Sequence, residues 1–195
     1  MISNSLIGSA LVASLLAAGA YADEAIRGGA ALGQTCAGCH GTGGHSLGDS
    51  MPSIAGLSNR YLLKAMLDFK RDVRQSTIMG RIARGYSDRE LTTIAAYFGA
   101  LDWQSAPVTA DRKAAKAGKK LHEERCASCH GDVGEKNEQE TPRLAGQWPA
   151  YLYNQLREFH DIEFATQEPA KMHERVQKLS DSEIKALSQY YAGVK

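Results

Sequence analysis

The sequence predicts an all-α protein made of two tandem domains that are related by an internal repeat. The motif CAGCH at 36–40 returns as CASCH at 126–130. Apolar residues in both halves recur at helical spacing, and no alternating run of five or more β-forming residues accompanies them. A chain of 195 residues is long enough for two small domains.

The repeat extends well beyond the two motifs. With an offset of 90 residues it pairs Pro52 with Pro142, Ala55-Gly56 with Ala145-Gly146, Tyr61-Leu62 with Tyr151-Leu152, and Phe69 with Phe159. The offset then becomes 93, which pairs Met79 with Met172 and Tyr97 with Tyr190. Each half is therefore a unit of ~80 to 90 residues, too small to bury a large core without a staple or a cofactor.

The N-terminal segment has the character of a secretory signal peptide. Residues 1–22 carry no charged side chain and include the apolar stretch 6–20, and Ala-Tyr-Ala at 20–22 fits a cleavage site. We therefore expect residues 1–22 to be removed and the mature chain to be periplasmic. An uncleaved membrane anchor is the alternative, although glycines and serines interrupt this stretch. No other apolar run is long enough to span a bilayer.

The mature chain is expected to divide into a first domain at 23–103, a linker at 104–113 and a second domain at 114–195. The linker contains Pro107 and has no apolar periodicity. Because this linker is short, we expect the two domains to pack together.

Helices are expected at matching places in both domains. Two S-x-x-E strings, Ser87 to Glu90 and Ser180 to Glu183, fit the capping box that opens a helix. Apolar faces at helical spacing are formed by Leu62, Leu63, Met66, Leu67 and Phe69 in the first domain, and by Leu152, Leu156 and Phe159 in the second.

The charge balance argues against a nucleic-acid partner. The chain has 23 basic and 22 acidic residues and a formal net charge of +1, without the strong basic field that polyanion binding needs. The basic run at 112–120 alternates with alanines, which favours a solvated helix face over a docking patch.

All four cysteines fall in the two C-x-x-C-H strings, the spacing of covalent haem attachment. Cys36 and Cys39 are expected to bind one haem c, and Cys126 and Cys129 a second. Thiols at i and i+3 share one helical face and can form thioethers with the haem vinyl groups. The adjoining His40 and His130 are then the proximal iron ligands.

Two other uses of these cysteines are a redox disulfide and a zinc site built from both pairs. Neither explains the two histidines. A zinc site would also join the repeats, whereas a haem completes each repeat by itself.

Met79 and Met172 are the candidates for the second axial ligand. The pairing of histidine with methionine is common in electron-carrying c-type haems. Among the methionines of the mature chain only these two occupy matching repeat positions; Met51 and Met66 do not, and core packing accounts for them. His173, next to Met172, is the rival ligand. We expect the other histidines, His45, His122 and His160, at the surface.

Side chains on both axial positions would leave no iron site for a substrate, so we expect electron transfer and no catalytic residues. A haem enzyme such as a peroxidase would instead have an open or easily displaced sixth ligand. Tyr61, Tyr151, Arg60 or Arg81 could hydrogen-bond haem propionates, because a buried carboxylate needs a partner; ordinary core or surface placement is the alternative.

The whole mature chain resembles the dihaem cytochrome c4 family: each half has CxxCH, a methionine, a capping box and a tyrosine-bearing helix. Within this family it is most similar to the cytochrome subunit of flavocytochrome c sulfide dehydrogenase. The strings that carry this similarity are STIMGRIARGYS at 76–87 and LAGQW at 144–148. The polar insert at 134–141 matches neither subfamily.

This resemblance implies two cytochrome c domains about a pseudo-twofold axis, with haem propionates near one another between them. It places Met79 and Met172 at the axial positions. It also implies a partner that carries FAD and oxidises sulfide, and a soluble cytochrome or an oxidase as electron acceptor. No G-x-G-x-x-G fingerprint in a strand-turn-helix context occurs here, so FAD is expected only on the partner chain. The alternative is a free-standing cytochrome c4 between a quinol-oxidising complex and a terminal oxidase.

Overall fold

A computed structural model of the chain describes residues 28–161 and 169–195. The predicted signal peptide at 1–22 lies outside these residues. In the described part of the chain there is no strand, and the single isolated bridge joins Glu138 to Thr141. The prediction of an all-α fold is therefore confirmed. None of the described helices is long and apolar enough to cross a membrane.

The first half is helical at 28–33, continues through a 3-10 turn, Gln34–Cys36, and has the short helix α1, Ala37–His40. The remaining helices of this half are α2 (Asn59–Lys70), α3 (Met79–Ala83) and α4 (Asp88–Gly99). Residues 102–111 contain no helix.

The second half repeats this order. Its helices are α5 (Arg112–Arg125), α6 (Ala127–His130), α7 (Pro149–His160), α8 (Ala170–Val176) and α9 (Asp181–Gly193). Asp111 caps α5 by accepting a hydrogen bond from the backbone of Ala114. All five basic residues between 112 and 120 are exposed, as expected of a solvated face.

Both predicted capping boxes are formed. The Ser87 hydroxyl accepts from the backbone of Glu90, whose carboxylate accepts from the Ser87 backbone N–H. Ser180 and Glu183 make the same reciprocal pair at the start of α9. Each box satisfies backbone donors that have no partner within the helix.

In each half a glycine allows the first and last helices to cross closely. A Cβ on Gly118 of α5 would lie 2.7 Å from the Tyr190 Cβ and would overlap the Ala186 carbonyl of α9. Gly29 packs against α4 in the same way, since a Cβ on Gly29 would lie 2.7 Å from Thr93 O. Thr93 is the repeat partner of Ala186, so the same crossing is built twice.

Each half has its own apolar core. In the first, the buried members are Leu57, Leu62, Ile94, Ala95 and Phe98. In the second, they are Leu152, Leu156, Val176, Leu179, Ile184, Leu187, Tyr190 and Tyr191. Cys36 packs against the first cluster and Cys126 against the second, so each CxxCH motif borders the core of its own half.

The halves pack against each other, and one set of contacts joins the loop after α1 to the start of α7. The Trp148 indole N–H donates to the Ser46 carbonyl at 3.2 Å, and the Tyr151 backbone N–H donates to Asp49 O at 2.8 Å. Trp148 is buried, so its indole ring excludes water from this contact.

A second set joins the loop after α6 to the start of α2. The Asn137 amide donates to Gly56 O at 2.7 Å, and the Ser58 hydroxyl donates to Gln139 O at 2.6 Å. Ser58 and Trp148 are repeat partners, so the two sets of contacts join corresponding segments of the halves reciprocally. The polar insert at 134–141, which resembles neither subfamily, thus forms part of the contact between the halves.

Candidate functional site

The two CxxCH motifs occupy equivalent places on short helical turns. Cys36 and Cys126 are half-buried, whereas Cys39 and Cys129 are exposed, and none of the four forms a disulfide. The residues of each pair are three positions apart on one turn, so both thiols lie on the same side of it. Burial raises the pKa of Cys36 and of Cys126, which reflects their apolar surroundings.

The histidines of the motifs are buried and oriented by a backbone carbonyl. His40 Nδ1 lies 2.9 Å from Pro52 O, and His130 Nδ1 lies 3.4 Å from Pro142 O. A carbonyl can only accept, so Nδ1–H is the donor and the Nε2 lone pair is left for a metal. Desolvation lowers the pKa of both imidazoles, which favours the neutral form that binds a metal.

The two prolines that orient these imidazoles are repeat partners. The repeat pairs Pro52 with Pro142, but the sequence alone predicted no role for either. Each proline lies twelve residues after the histidine of its motif. This equal spacing was the signal that could have predicted a shared role beside the histidines.

The candidate axial methionines lie on equivalent helices that follow the long central helix of each half. Met79 is the first residue of α3 and is half-buried. Met172 lies in α8, is half-buried, and packs against the core cluster that Cys126 also contacts. The structure therefore brings Met172 and Cys126 to one cluster, while α3 packs against α2 in the first half.

His173, the rival ligand, already has a hydrogen-bond partner. Its Nδ1 lies 2.8 Å from Phe159 O and donates to that carbonyl, since a carbonyl cannot donate. The ring is half-buried beside the C-terminus of α7. This contact anchors α8, the helix of Met172, to α7.

The expectation that His122 is a surface residue is wrong. His122 is completely buried: its Nε2–H donates to Gly131 O at 2.9 Å and Asp132 O at 3.1 Å, and its Nδ1 accepts from the Tyr191 hydroxyl at 2.9 Å. Each ring nitrogen has a partner, so burial costs little. His45 and His160 are half-buried.

The residues considered as donors to the haem propionates differ in their burial. Tyr61 and Tyr151 are half-buried near the boundary between the halves. Burial raises the pKa of the Tyr151 hydroxyl, which is therefore a neutral donor. Arg60 is exposed and donates to Gln139 Oε1 at 2.7 Å, and Arg81 is exposed. A partner for a buried carboxylate would itself be buried, and both arginines are exposed.

The side chains of each half fit a haem c. Within the described residues, no group of three or more His, Cys, Asp or Glu side chains is placed to hold a metal ion by itself. Each half instead offers a pair of thiols, one oriented imidazole and one candidate thioether, a donor set that suits an iron held by a porphyrin. When bound, such a haem supplies a one-electron iron couple.

Comparison with known proteins agrees with this donor set. A family model described as cytochrome c matches residues 25–102 and 115–195. Cytochrome c4 of Thiocapsa roseopersicina is 31% identical over 169 residues, which cover 82% of this chain and 86% of that protein. The cytochrome subunit of sulfide dehydrogenase from Chlorobaculum tepidum is 51% identical over 70 residues, 36% of this chain and 63% of that protein.

A solved structure shows the same arrangement over nearly the whole of its chain. The crystal structure of reduced recombinant cytochrome c4 from Pseudomonas stutzeri superimposes with a TM-score of 0.77 at 30% identity. The match covers 86% of this chain and 97% of that one, so it spans both halves.

Proposed function

This chain belongs to the cytochrome c family, and within it to the dihaem cytochromes of the c4 type, and we propose that it is a free-standing periplasmic electron carrier. It carries two covalently bound haem c groups and transfers electrons. Its donor would be a quinol-oxidising complex and its acceptor a terminal oxidase or a soluble cytochrome. The observation that carries this proposal is the match to cytochrome c4 through both halves.

The site residues have separate roles in this proposal. Cys36 and Cys39 attach one haem, and the residues in the same positions of the second motif, Cys126 and Cys129, attach the other. His40 and His130 supply the proximal ligands, because each has its Nδ1–H held by a carbonyl and its Nε2 free.

Met79 and Met172 would each hold an iron through a thioether, which favours the reduced iron and raises the reduction potential. With a histidine and a methionine both held to each iron, neither haem would offer a site for a substrate. The chemistry left to the chain would then be outer-sphere electron transfer.

A second function is favoured by one specific observation, the 51% identity over 70 residues to the cytochrome subunit of a sulfide dehydrogenase. In that function an FAD-containing partner oxidises sulfide and reduces this chain. The flavin belongs to the partner, since this sequence has no dinucleotide-binding fingerprint. The segment of high identity covers only 36% of the chain, which is why the carrier function comes first.

Purification of the tagged chain from its own periplasm distinguishes the two functions. The preparation is assayed by absorbance, haem staining and flavin fluorescence after gentle lysis. A dihaem protein that elutes alone, and is reduced by membranes supplied with quinol, supports the free carrier. A stoichiometric, haem-free flavoprotein in the same fraction, with reduction by sulfide, contradicts it and supports the sulfide dehydrogenase subunit. Immediate carbon monoxide binding by the reduced protein would contradict both and indicate a haem enzyme.

A further inference from the structure

Arg74 places a buried guanidinium group between the two halves of the molecule. Only 7% of the residue is exposed. Its Cζ lies 4.6 Å from the centre of the Phe69 ring and 5.9 Å from that of Phe159. Phe69 and Phe159 are repeat partners, so Arg74 lies between equivalent rings of the two halves.

The hydrogen bonds of Arg74 leave one buried donor without a partner. Nη2 donates to Gln155 Oε1 at 2.7 Å, and Nη1 donates to the Tyr61 hydroxyl at 3.5 Å. Nε is buried and has no hydrogen-bond partner. Both partners of Arg74 are neutral, so no charged group is hydrogen-bonded to this cation.

No carboxylate of the described residues forms an ion pair with Arg74. The Glu158 carboxylate acts electrostatically on Arg74 from farther away, but its Oε2 accepts a hydrogen bond from Gln155 Nε2 at 2.8 Å and not from the guanidinium. Moving a cation from water into a protein interior costs several kcal/mol unless an anion and further hydrogen bonds compensate it. A buried guanidinium with a spare N–H has the chemistry to bind an anion, and carboxylates suit its planar fork.

The chain's own haems would bring such an anion. Tyr61 packs against the cluster that Cys36 borders, and Tyr151 packs against the cluster that Cys126 borders. The hydroxyls of both tyrosines lie close enough to act electrostatically on Arg74. A haem attached at either cysteine pair carries propionate carboxylates, which need a donor where they are buried.

We propose that Arg74 is the counter-cation of a haem propionate at the boundary between the two halves, with Nε–H as a donor to that carboxylate. Arg74 has no basic counterpart in the second half, because the residues that align with it under the two repeat offsets, Phe164 and Gln167, are uncharged. A single positive charge therefore serves a site between two haems. This role depends on the two haems and is the same whichever donor reduces them.

The charge has a predictable effect on the haem potentials. A cation near the iron destabilises the oxidised form more than the reduced one, so it raises the reduction potential. It also holds the propionate in the ionised form by lowering its pKa. Without Arg74 the carboxylate would take up a proton more easily, and the potential would fall as pH rises through the neutral range.

The test compares Arg74→Gln with Arg71→Gln in the holoprotein. Arg71 is an exposed residue three positions earlier, so the control removes the same charge from the surface. Spectroelectrochemical titration over a range of pH should show a lower potential for at least one haem in Arg74→Gln, with a new pH dependence. Arg71→Gln should keep both wild-type potentials, and Arg74→Lys should recover most of the loss. Unchanged potentials in Arg74→Gln would overturn the proposal.

A second measurement needs no variant and decides the case if Arg74→Gln does not fold. Redox difference infrared spectra are recorded on wild-type protein grown with a haem precursor that labels the propionate carboxyls with ¹³C, and a crystal structure of the holoprotein accompanies them. A labelled, ionised carboxylate whose oxygen is in hydrogen-bond range of Arg74 Nε supports the proposal. Contact of Arg74 Nε with water, with Glu158 or with a free ion such as chloride overturns the proposal. Haem potentials that vary with the concentration of that ion overturn it as well.

Discussion

The side-chain amide of Gln147 pairs with both backbone groups of Ser53, which lies 94 residues away in the other half. Gln147 Oε1 accepts from the Ser53 N–H at 3.0 Å, and Nε2 donates to Ser53 O at 2.9 Å. Both residues are buried. Since Ser53 follows Pro52, whose carbonyl orients His40, this pair links the second half to a candidate haem site in the first.

Replacing Gln147 by leucine should destabilise the holoprotein by about 2 to 6 kcal/mol, because two buried backbone groups of Ser53 lose their partners and each costs roughly 1 to 3 kcal/mol. Urea unfolding followed by circular dichroism measures the loss. Gln104→Leu, at an exposed position before the second half, should change stability by less than about 0.5 kcal/mol. Equal stability of the two variants would show that the Gln147 pair does not hold the halves together.

The features that the sequence predicted depend on local spacing, and those that it missed depend on contacts between distant residues. The CxxCH turns, the capping boxes at Ser87 and Ser180 and the helical fold depend on residues close together in the chain. Each can therefore be predicted from local spacing.

Gln147, Arg74 and His122 depend on contacts that no local pattern encodes. The repeat partner of Gln147 is Leu57, and that of His122 is Leu32, so comparing the halves suggests apolar neighbours. Arg74 lies in a polar stretch at 70–75 that has the composition of a surface loop. Contacts with the other half bury Arg74 and Gln147, whereas His122 is buried by residues of its own half. Only the three-dimensional packing shows either kind of burial.

Met79→Ala should open the sixth position of the first haem iron. The reduced variant is expected to bind carbon monoxide and the wild type is expected not to, and the potential of that haem should fall because the thioether is lost. Absorbance difference spectra with carbon monoxide measure the first effect, and a redox titration the second. Met172→Ala should do the same at the second haem.

Met66→Ala is the matched control for both methionine variants. Met66 is half-buried on α2 and has no methionine at its repeat position. Its removal should leave a partial cavity that costs about 1 to 3 kcal/mol, and the haem spectrum should stay unchanged. Carbon monoxide binding by Met66→Ala but not by Met79→Ala would reverse the assignment of the axial ligand.

Gly118→Ala tests the helix crossing of the second half. In an open helix this change would gain about 1 kcal/mol of helix propensity. Here the new methyl would overlap the Ala186 carbonyl and approach Tyr190, so α5 and α9 must separate. Overpacking of this kind costs about 1 to 3 kcal/mol or more, and we expect a net loss of stability in thermal unfolding. Gly48→Ala, where no atom lies within 4 Å of the new methyl, should be close to neutral.

The capping box of α9 should make stability depend on acid pH. Hydrogen bonds from the Ser180 backbone N–H and hydroxyl to the Glu183 carboxylate lower its pKa below the ordinary 4.5. A carboxyl with a lower pKa in the folded state stabilises the fold above its unfolded pKa, and this contribution is lost as the pH falls through the folded value. Glu183→Gln should therefore be less stable than wild type at neutral pH, and the difference should shrink in acid.

Urea unfolding at about pH 7 and at about pH 3 measures this difference, since protonation of the haem ligands affects both proteins and cancels in the comparison. Glu174→Gln is the control, because Glu174 is exposed on α8 and takes no part in a capping box. The control should follow the wild type at both pH values. A Glu183→Gln variant whose deficit is as large in acid as at neutral pH would show that the carboxylate charge does not contribute, and that the amide fails for a steric reason.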